Sequence, residues 1–148
     1  MGFSVMREGT PGSPVPVAGA IALLHNMYTY HQSTGVFERD GVTLFTGYAG
    51  HGAGVNNPSL RDSREVGPLP QGRYSMSQFV AKAKKTGLGT IRLQPDPANQ
   101  MFKRSGFCIH GDNAARNRSA STGCIIIGRA PDRQAIWNGN DHDLEVVA

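Results

Sequence analysis

The chain has 148 residues, the length of one domain, and it is long enough to bury a hydrophobic core. Its net charge of +4 is modest, and its basic residues are scattered apart from Lys82, Lys84 and Lys85, which we interpret as a solvated face. Two cysteines exclude a disulfide framework, and no stretch is apolar and long enough to predict a membrane span.

The sequence divides into two parts. Residues 1–26 are rich in proline and glycine and predict a flexible leader or a secretion-related segment. Their apolar run, residues 15–24, is short and interrupted by Pro16 and Gly19, which makes it a poor secretory signal. Residues 27–148 predict the folded domain, in which many glycines and prolines favour short strands and turns over a helical bundle.

The first half of this domain alternates β-prone stretches with tight turns. Asp40 and Gly41, between residues 36–38 and 42–45, form a dipeptide typical of a two-residue hairpin turn. Residues 47–57 contain four glycines and His51, and we interpret them as a loop over the sheet.

The second half predicts further strands and one helix. Strands are predicted at residues 73–76, 90–93, 107–110 and 144–147, with a basic connection at residues 82–89. The strand at residues 90–93 is expected to end at Pro95, because proline cannot donate to a strand ladder. Pro131 stands where a helix can begin, so residues 132–137 are the helix candidate. The fold class is therefore mostly β with one or two short helices.

A histidine and a cysteine form the candidate site. His110 ends one predicted strand, and Cys124 follows Gly123 at the start of a β-branched run. A thiolate attacks a carbonyl with the help of a base and of backbone N–H donors, which amides near a glycine can supply. By themselves, however, these residues fit two descriptions: a nucleophile and its base, or a buried core cysteine and a structural histidine. Cys108 is more typical of a small buried hydrophobic residue.

An ordered set of motifs resembles the type VI secretion L,D-transpeptidase effectors, toxins that attack peptidoglycan and are related to the L,D-transpeptidase catalytic domain. The central motifs are His-Gly-Asp at residues 110–112 and Ser-Thr-Gly-Cys-Ile-Ile-Ile at residues 121–127. The supporting motifs lie at residues 30–35, 50–52, 56–58 and 66–74. The resemblance extends from about residue 27 to the end of the chain and implies an L,D-transpeptidase-like β-sandwich or barrel.

The resemblance also implies roles for individual residues. Cys124 would be the nucleophile and His110 its base, oriented by the backbone carbonyl of Gly111. Gly123 and Thr122 would contribute to the oxyanion site. Thr122 stands where many L,D-transpeptidases have a second histidine, and Ile126 where many have an arginine; the effectors share both departures.

Substrate contacts are less clearly defined by the sequence. Ser121, Asp112 and His51 are the candidate substrate-binding residues. Ser121 fits a turn role equally well, Asp112 fits an Asx turn better, and an exposed His51 without a partner is the ordinary alternative. The arginines that flank the site in sequence are further candidates for pairing with stem-peptide carboxylates, although each is more typical of a solvated charge: Arg104, Arg116 and Arg118.

The implied function is a cysteine L,D-transpeptidase and L,D-carboxypeptidase that acts on peptidoglycan tetrapeptide stems without a cofactor. It implies a protein made in the cytoplasm, exported by a secretion apparatus and active in the periplasm of a target bacterium, with a cognate immunity protein and no nucleic-acid partner. One alternative is a metal-dependent hydrolase that uses His51, His110, Asp112 and a cysteine, although no compact ligand pair is present. The other is a non-enzymatic basic module that binds cell wall or nucleic acid.

Overall fold

The computed structural model of the protein describes residues 27–148. This part of the chain contains nine strands, one α-helix and two short 3-10 turns. The strands are β1 (Tyr28–His31), β2 (Val36–Arg39), β3 (Val42–Thr46), β4 (Tyr48–Ala49), β5 (Gly72–Ala83), β6 (Gly87–Pro95), β7 (Cys108–His110), β8 (Ile125–Ile126) and β9 (Asp143–Val147). The helix is α1 (Ala130–Asn138), and the 3-10 turns are Gly52–Gly54 and Pro58–Leu60.

The nine strands form one sheet that curls until its two edges meet. The order is β3-β2-β1-β9-β5-β6-β7-β8-β4, with parallel pairing only in β1–β9 and β7–β8. The edge strands β3 and β4 are nevertheless separated in the chain by Gly47 alone, whose N–H donates to the carbonyl of Gly35 at 2.8 Å. The two edges therefore meet at this point, which requires the sheet to curl, in agreement with the expected sandwich or barrel.

The core fills the inside of this curled sheet. Alternate residues along a strand point to one face, and here one face of almost every strand is buried. The fully buried members with the largest side chains include Tyr30, Phe37, Ile91, Ile109, Ile125, Ile136 and Leu144. Burying these side chains stabilises the fold by about 1.5–3 kcal/mol each, so the sheet is held as a rigid platform for the loops at its rim.

Locally encoded elements lie where the sequence predicts them. The hairpin of β2 and β3 has its turn at Asp40 and Gly41, and β6 ends at Pro95. Pro131 lies in the first turn of α1, where its missing N–H costs nothing, and Gly139 follows the last helical residue. The mostly β class with a short helix is confirmed.

Two predicted loops are wrong in part. Residues 82–89 are not a basic connection, because β5 extends to Ala83 and β6 begins at Gly87, leaving a three-residue turn. Residues 47–57 are not entirely a loop, because Tyr48 and Ala49 form β4 by pairing with Ile126 and Ile125.

The predicted leader, residues 1–26, lies outside the described residues. Within residues 27–148, the one α-helix is nine residues long, and no helix is long and apolar enough to cross a membrane.

Candidate active site

The parallel pairing of β7 with β8 places the candidate nucleophile and base on one face of the sheet. Ile109 pairs with Ile125, and both side chains are fully buried in the core. Because side chains alternate along a strand, His110 points to the opposite face, and Cys124, just before β8, extends the same alternation. Cys108 also lies on this second face, two residues before His110.

Cys124 is in direct contact with Cys108. The backbone N–H of Cys108 donates to the sulfur of Cys124 at 3.2 Å, and both cysteines are free thiols. Hydrogen bonding to the Cys108 thiol, followed by burial, raises the pKa of Cys124, whereas the backbone N–H of Cys108 and the charge of Arg104 act to lower that pKa. The same contact lowers the pKa of the Cys108 thiol to about 7, so the two thiols share one ionisation, and a base that takes the Cys124 proton would favour Cys124 as the nucleophile.

His110, on the same face of the sheet, is the candidate for that base. Its side chain is 7% exposed, and its Nδ1 donates to the carbonyl of Gly111 at 2.9 Å. A carbonyl can only accept, so the proton is on Nδ1 and Nε2 carries the free lone pair. Burial lowers the pKa of His110, against an opposing contribution from the Gly111 hydrogen bond, so the imidazole is neutral and able to accept a proton.

The turn that carries Cys124 is held by Ser121. Its side chain has no exposed surface, and its hydroxyl accepts from the N–H groups of Gly50 at 2.9 Å and Gly123 at 3.0 Å. The same hydroxyl donates to the carbonyl of Cys124 at 2.6 Å. These three internal hydrogen bonds favour the turn role of Ser121 over contact with a substrate.

The hydrogen bond from the Gly123 N–H to Ser121 also reduces the number of amides that can form an oxyanion site. The N–H of Gly123 is directed at the serine and is not free to stabilise an oxyanion. The N–H groups of Thr122 and Cys124 have no hydrogen-bond partner within residues 27–148. Of the three amides in the turn, those of Thr122 and Cys124 would therefore be the donors available to a developing negative charge.

Arg104 is buried against the same turn, which overturns its interpretation as a solvated surface charge. It is 6% exposed, and its guanidinium donates to four backbone carbonyls at 2.6–3.2 Å, those of Arg61, Gly67, Pro68 and Thr122. The side chain thus joins residues 61–68 to the cysteine turn. Gly123 is required beneath it, because a Cβ there would lie 2.7 Å from Arg104 Nη2 and 2.6 Å from the Phe107 ring.

A second buried arginine supports the histidine. Arg133 of α1 donates to the carbonyls of Gly89, Ile127 and Leu88 at 2.6–2.8 Å, which fastens the helix to the sheet beside His110. It packs so closely on Gly111 that a Cβ there would lie 2.9 Å from Arg133 Nη1. The orienting carbonyl of Gly111 is therefore held in place by the helix.

Tyr48 closes the loop between the histidine and the cysteine. Its hydroxyl donates to Asp112 Oδ1 at 2.8 Å and accepts from the N–H of Ala120 at 3.1 Å. Asp112 Oδ1 also accepts from the N–H of the next residue, Asn113, at 2.9 Å, which is a local loop contact but not the Asx turn expected from the sequence, since that turn uses the N–H two residues on. Asp112 therefore has the loop role that the sequence favours.

The remaining sequence candidates, His51 and Arg116, lie on other loops than the cysteine turn. His51 is exposed and leads into the first 3-10 turn, with its N–H donating to the carbonyl of Val66 at 2.7 Å. Arg116 lines a different cavity, beside Asp112. In the described part of the chain no three His, Cys, Asp or Glu side chains converge on a point where a metal could bind, so the ligand set of the metal-dependent alternative is not assembled.

A polar cavity of about 200 Å³ opens beside Cys124. The residues that line it come from the loops before β5 and β7 and from the cysteine turn: Arg64, Glu65, Lys103, Arg104, Ser105, Gly106, Phe107, Thr122 and Cys124. Glu65 and Lys103 adopt φ values of 61° and 58°, a backbone conformation that non-glycine residues rarely take. Such conformations are held by the surrounding structure and are frequent at functional sites.

Sequence reasoning missed three residues that build the site: Arg104 as a buried clamp, Arg133 and Tyr48. Arginines are rarely buried, and the carbonyls that bind these two are up to 45 residues away in the chain. No local signal marks them. Tyr48 was hidden in a glycine-rich stretch that resembles a loop.

Comparison with known proteins places these observations in a family. The family model for the Tlde1 domain matches residues 43–148. No curated protein sequence matches the chain. Among solved structures, the chain is similar to an L,D-transpeptidase from Stackebrandtia nassauensis, with 10% identity, a TM-score of 0.47 and coverage of 82% of this chain and 55% of that chain.

A second similar structure is an L,D-transpeptidase from Mycobacterium smegmatis, with 15% identity and a TM-score of 0.43. It covers 82% of this chain and 58% of that chain, so the present chain spans little more than half the length of either protein. The family match covers most of the chain and includes both central motifs. The resemblance seen in the sequence is thereby confirmed: the chain belongs to the Tlde1 domain family of type VI secretion L,D-transpeptidase effectors.

Proposed function

We propose that the protein is a peptidoglycan-modifying enzyme in which Cys124 forms an acyl-enzyme with tetrapeptide stems. The Tlde1 family match and the L,D-transpeptidase names of the similar structures support a peptidoglycan-acting enzyme. One observation carries the cysteine mechanism: Cys124 shares a sheet face with a histidine whose Nδ1 is bound to the Gly111 carbonyl, which leaves Nε2 as the basic nitrogen.

The proposed reaction begins with proton transfer. His110 Nε2 takes the proton of the Cys124 thiol as the sulfur attacks the carbonyl that joins the L-centre of the stem diamino acid to the terminal D-alanine. The tetrahedral oxyanion is stabilised by the N–H groups of Thr122 and Cys124. When it collapses, the C–N bond breaks, D-alanine leaves with the proton returned by His110, and a thioester remains on Cys124.

The fate of the thioester defines the activity. Attack by water, deprotonated by His110, releases a tripeptide stem and gives L,D-carboxypeptidase activity. Attack by the amine of a free D-amino acid gives exchange, and attack by the amine of a second stem gives a cross-link. We propose that hydrolysis and exchange dominate, because both deplete the donor stems that cross-linking needs and would weaken the wall of a target cell.

Family membership also supports a cellular setting. An effector of this family would leave its own cell through a secretion apparatus and act on the wall in the periplasm of a competitor. A cognate immunity protein would bind it in cells that must be protected. Both partners are proposed from family membership.

The experiment that tests the proposal uses the full chain and two matched variants, Cys124→Ala and Cys108→Ala. Each is incubated with tetrapeptide-stem muropeptides, with and without a free D-amino acid, and the products are followed by mass spectrometry. We expect the wild type and Cys108→Ala to release D-alanine and to exchange it, while Cys124→Ala does neither. Release that persists in Cys124→Ala would overturn the cysteine mechanism, and no release by the wild type would overturn the enzyme assignment.

A further inference from the structure

We propose that the cavity beside Cys124 is a carboxylate subsite in which Arg64 and Lys103 bind the C-terminal carboxylate of the D-amino acid that leaves, or enters, at the thioester. This inference rests on the proposed function and extends it, because it assigns the recognition of a free C-terminus to residues that no sequence motif points to. It predicts an enzyme that acts only at the end of a stem.

The charges around the cavity favour an anion. Three basic side chains line it, against the single carboxylate of Glu65. Arg64 and Lys103 are exposed, and neither makes an ion pair within the part of the chain that the structure describes. The cavity therefore presents a net positive field next to the sulfur, with two flexible cations at its mouth.

The other arginines near the site are less suited to this role. Arg104 adds to the positive field, but the four terminal N–H groups of its guanidinium are already bound by backbone carbonyls. Arg116 faces the separate cavity beside Asp112. Ile126, at the position where many L,D-transpeptidases have an arginine, is 1% exposed and apolar. Arg92 is exposed and lies beside Cys108, but it does not line the cavity. Arg64 and Lys103 are thus the exposed cations that line the cavity beside Cys124.

The position of the cavity matches the chemistry of the leaving group. In a stem that ends in D-alanine, the carboxylate is one residue beyond the scissile carbonyl, so it must lie close to the attacking sulfur. The cavity is lined by Cys124 itself, and its volume of about 200 Å³ suits one small residue, not a long peptide. A free D-amino acid that enters for exchange carries the same carboxylate and would occupy the same place.

A first experiment measures the electrostatic field at the Cys124 thiol and needs no peptidoglycan. Cys124 is alkylated with iodoacetate, which is anionic, or with iodoacetamide, which is neutral, and modification is read by peptide mapping. We expect the iodoacetate-to-iodoacetamide rate ratio to fall by roughly threefold to tenfold in Arg64→Gln and in Lys103→Gln, and further in the double variant. Glu65→Gln should raise the ratio, and Arg116→Gln, which removes a charge from the other cavity, should leave it unchanged.

A second experiment tests substrate recognition. Tetrapeptide stems that end in a D-alanine carboxylate or in the corresponding amide are compared by kcat/KM. We expect the wild type to prefer the carboxylate at least tenfold, mainly through KM, and the double variant to lose most of this preference while it still hydrolyses the amide. Equal use of both stems by the wild type, or a preference that the double variant retains, would overturn the subsite.

The two experiments separate the inference from the function on which it rests. If no stem is cleaved, the proposed function fails, and the alkylation ratio still reports whether Arg64 and Lys103 create an anion site at Cys124. If stems are cleaved but the alkylation ratio is insensitive to both cations, the enzyme assignment stands and the carboxylate subsite is wrong.

Discussion

The backbone N–H of Cys108 donates a hydrogen bond to the sulfur of Cys124 at 3.2 Å. The contact exists because the two residues stand opposite each other just ahead of the paired isoleucines of β7 and β8. It fixes the position of the candidate nucleophile and also brings a second thiol against it, so the two thiols ionise as a pair and cannot both lose a proton easily.

Removal of the second thiol should make Cys124 more reactive. Contact with the Cys108 thiol is the first cause of the raised pKa of Cys124, and the backbone N–H remains when only the side chain is lost. In Cys108→Ala we therefore expect a lower pKa, a larger thiolate fraction near neutral pH and alkylation of Cys124 by iodoacetamide that is faster by about tenfold. The measurement is the alkylation rate against pH, with Cys124→Ala as the control for other sites. An unchanged profile would contradict the coupling.

Gly123 should not tolerate a side chain. Its φ of 143° is a glycine conformation, and a Cβ would collide with Arg104 and Phe107. We expect Gly123→Ala to lower the free energy of unfolding by about 1–3 kcal/mol and to lower activity by at least tenfold, because the cysteine turn must move. Gly128→Ala is the matched control, since nothing lies within 4 Å of a Cβ there. If the two variants unfold at similar urea concentrations, the predicted collision of a Gly123 side chain with Arg104 and Phe107 is contradicted.

Predictions from sequence succeeded where the signal is local. Asp40 and Gly41 specify their hairpin through backbone conformations that few other residues adopt, and Pro131 specifies the start of α1. The candidate site was found differently, through an ordered motif resemblance, because the chemistry of His110 and Cys124 depends on a strand pairing that no periodicity reveals.

Features that depend on distant partners could not be predicted. β4 is two residues long and exists because β8 offers a ladder for it, so its glycine-rich surroundings read as a loop. Arg104 and Arg133 have the composition of surface residues and are buried only because the folded chain directs several orphan carbonyls at each of them. Such convergence is a property of the tertiary structure and leaves no trace in the neighbouring sequence.

Arg104 should be essential to the stability of the site. Arg104→Met keeps most of the side-chain volume but leaves four carbonyls without their donor, and we expect it to lower the free energy of unfolding by about 3 kcal/mol. Arg104→Lys should recover only part of this, because an ammonium cannot reproduce the planar fork of the guanidinium. The measurement is urea unfolding, with Arg116→Met as an exposed control. If Arg104→Met lowers the free energy of unfolding by less than about 0.5 kcal/mol, the stabilising role of the buried Arg104 is contradicted.

The pH dependence of activity should report the environment of His110. Burial lowers its pKa, so the imidazole stays neutral below the ordinary value of 6.5, and the acidic limb of kcat/KM should have its midpoint below 6.5. The charge of Asp112 acts to raise that pKa, so Asp112→Asn should move the midpoint still lower, while its amide oxygen can still accept from Tyr48.

Asp96→Asn is the control, because the Asp96 carboxylate does not contribute to the pKa of His110. This variant should leave the midpoint of the acidic limb of kcat/KM unchanged. A limb above 6.5 in the wild type would mean that a protonated imidazole is already paired with a thiolate in the resting enzyme. In that case the inference that the thiol and the imidazole are both neutral would be wrong, and Cys124 would attack without prior proton transfer.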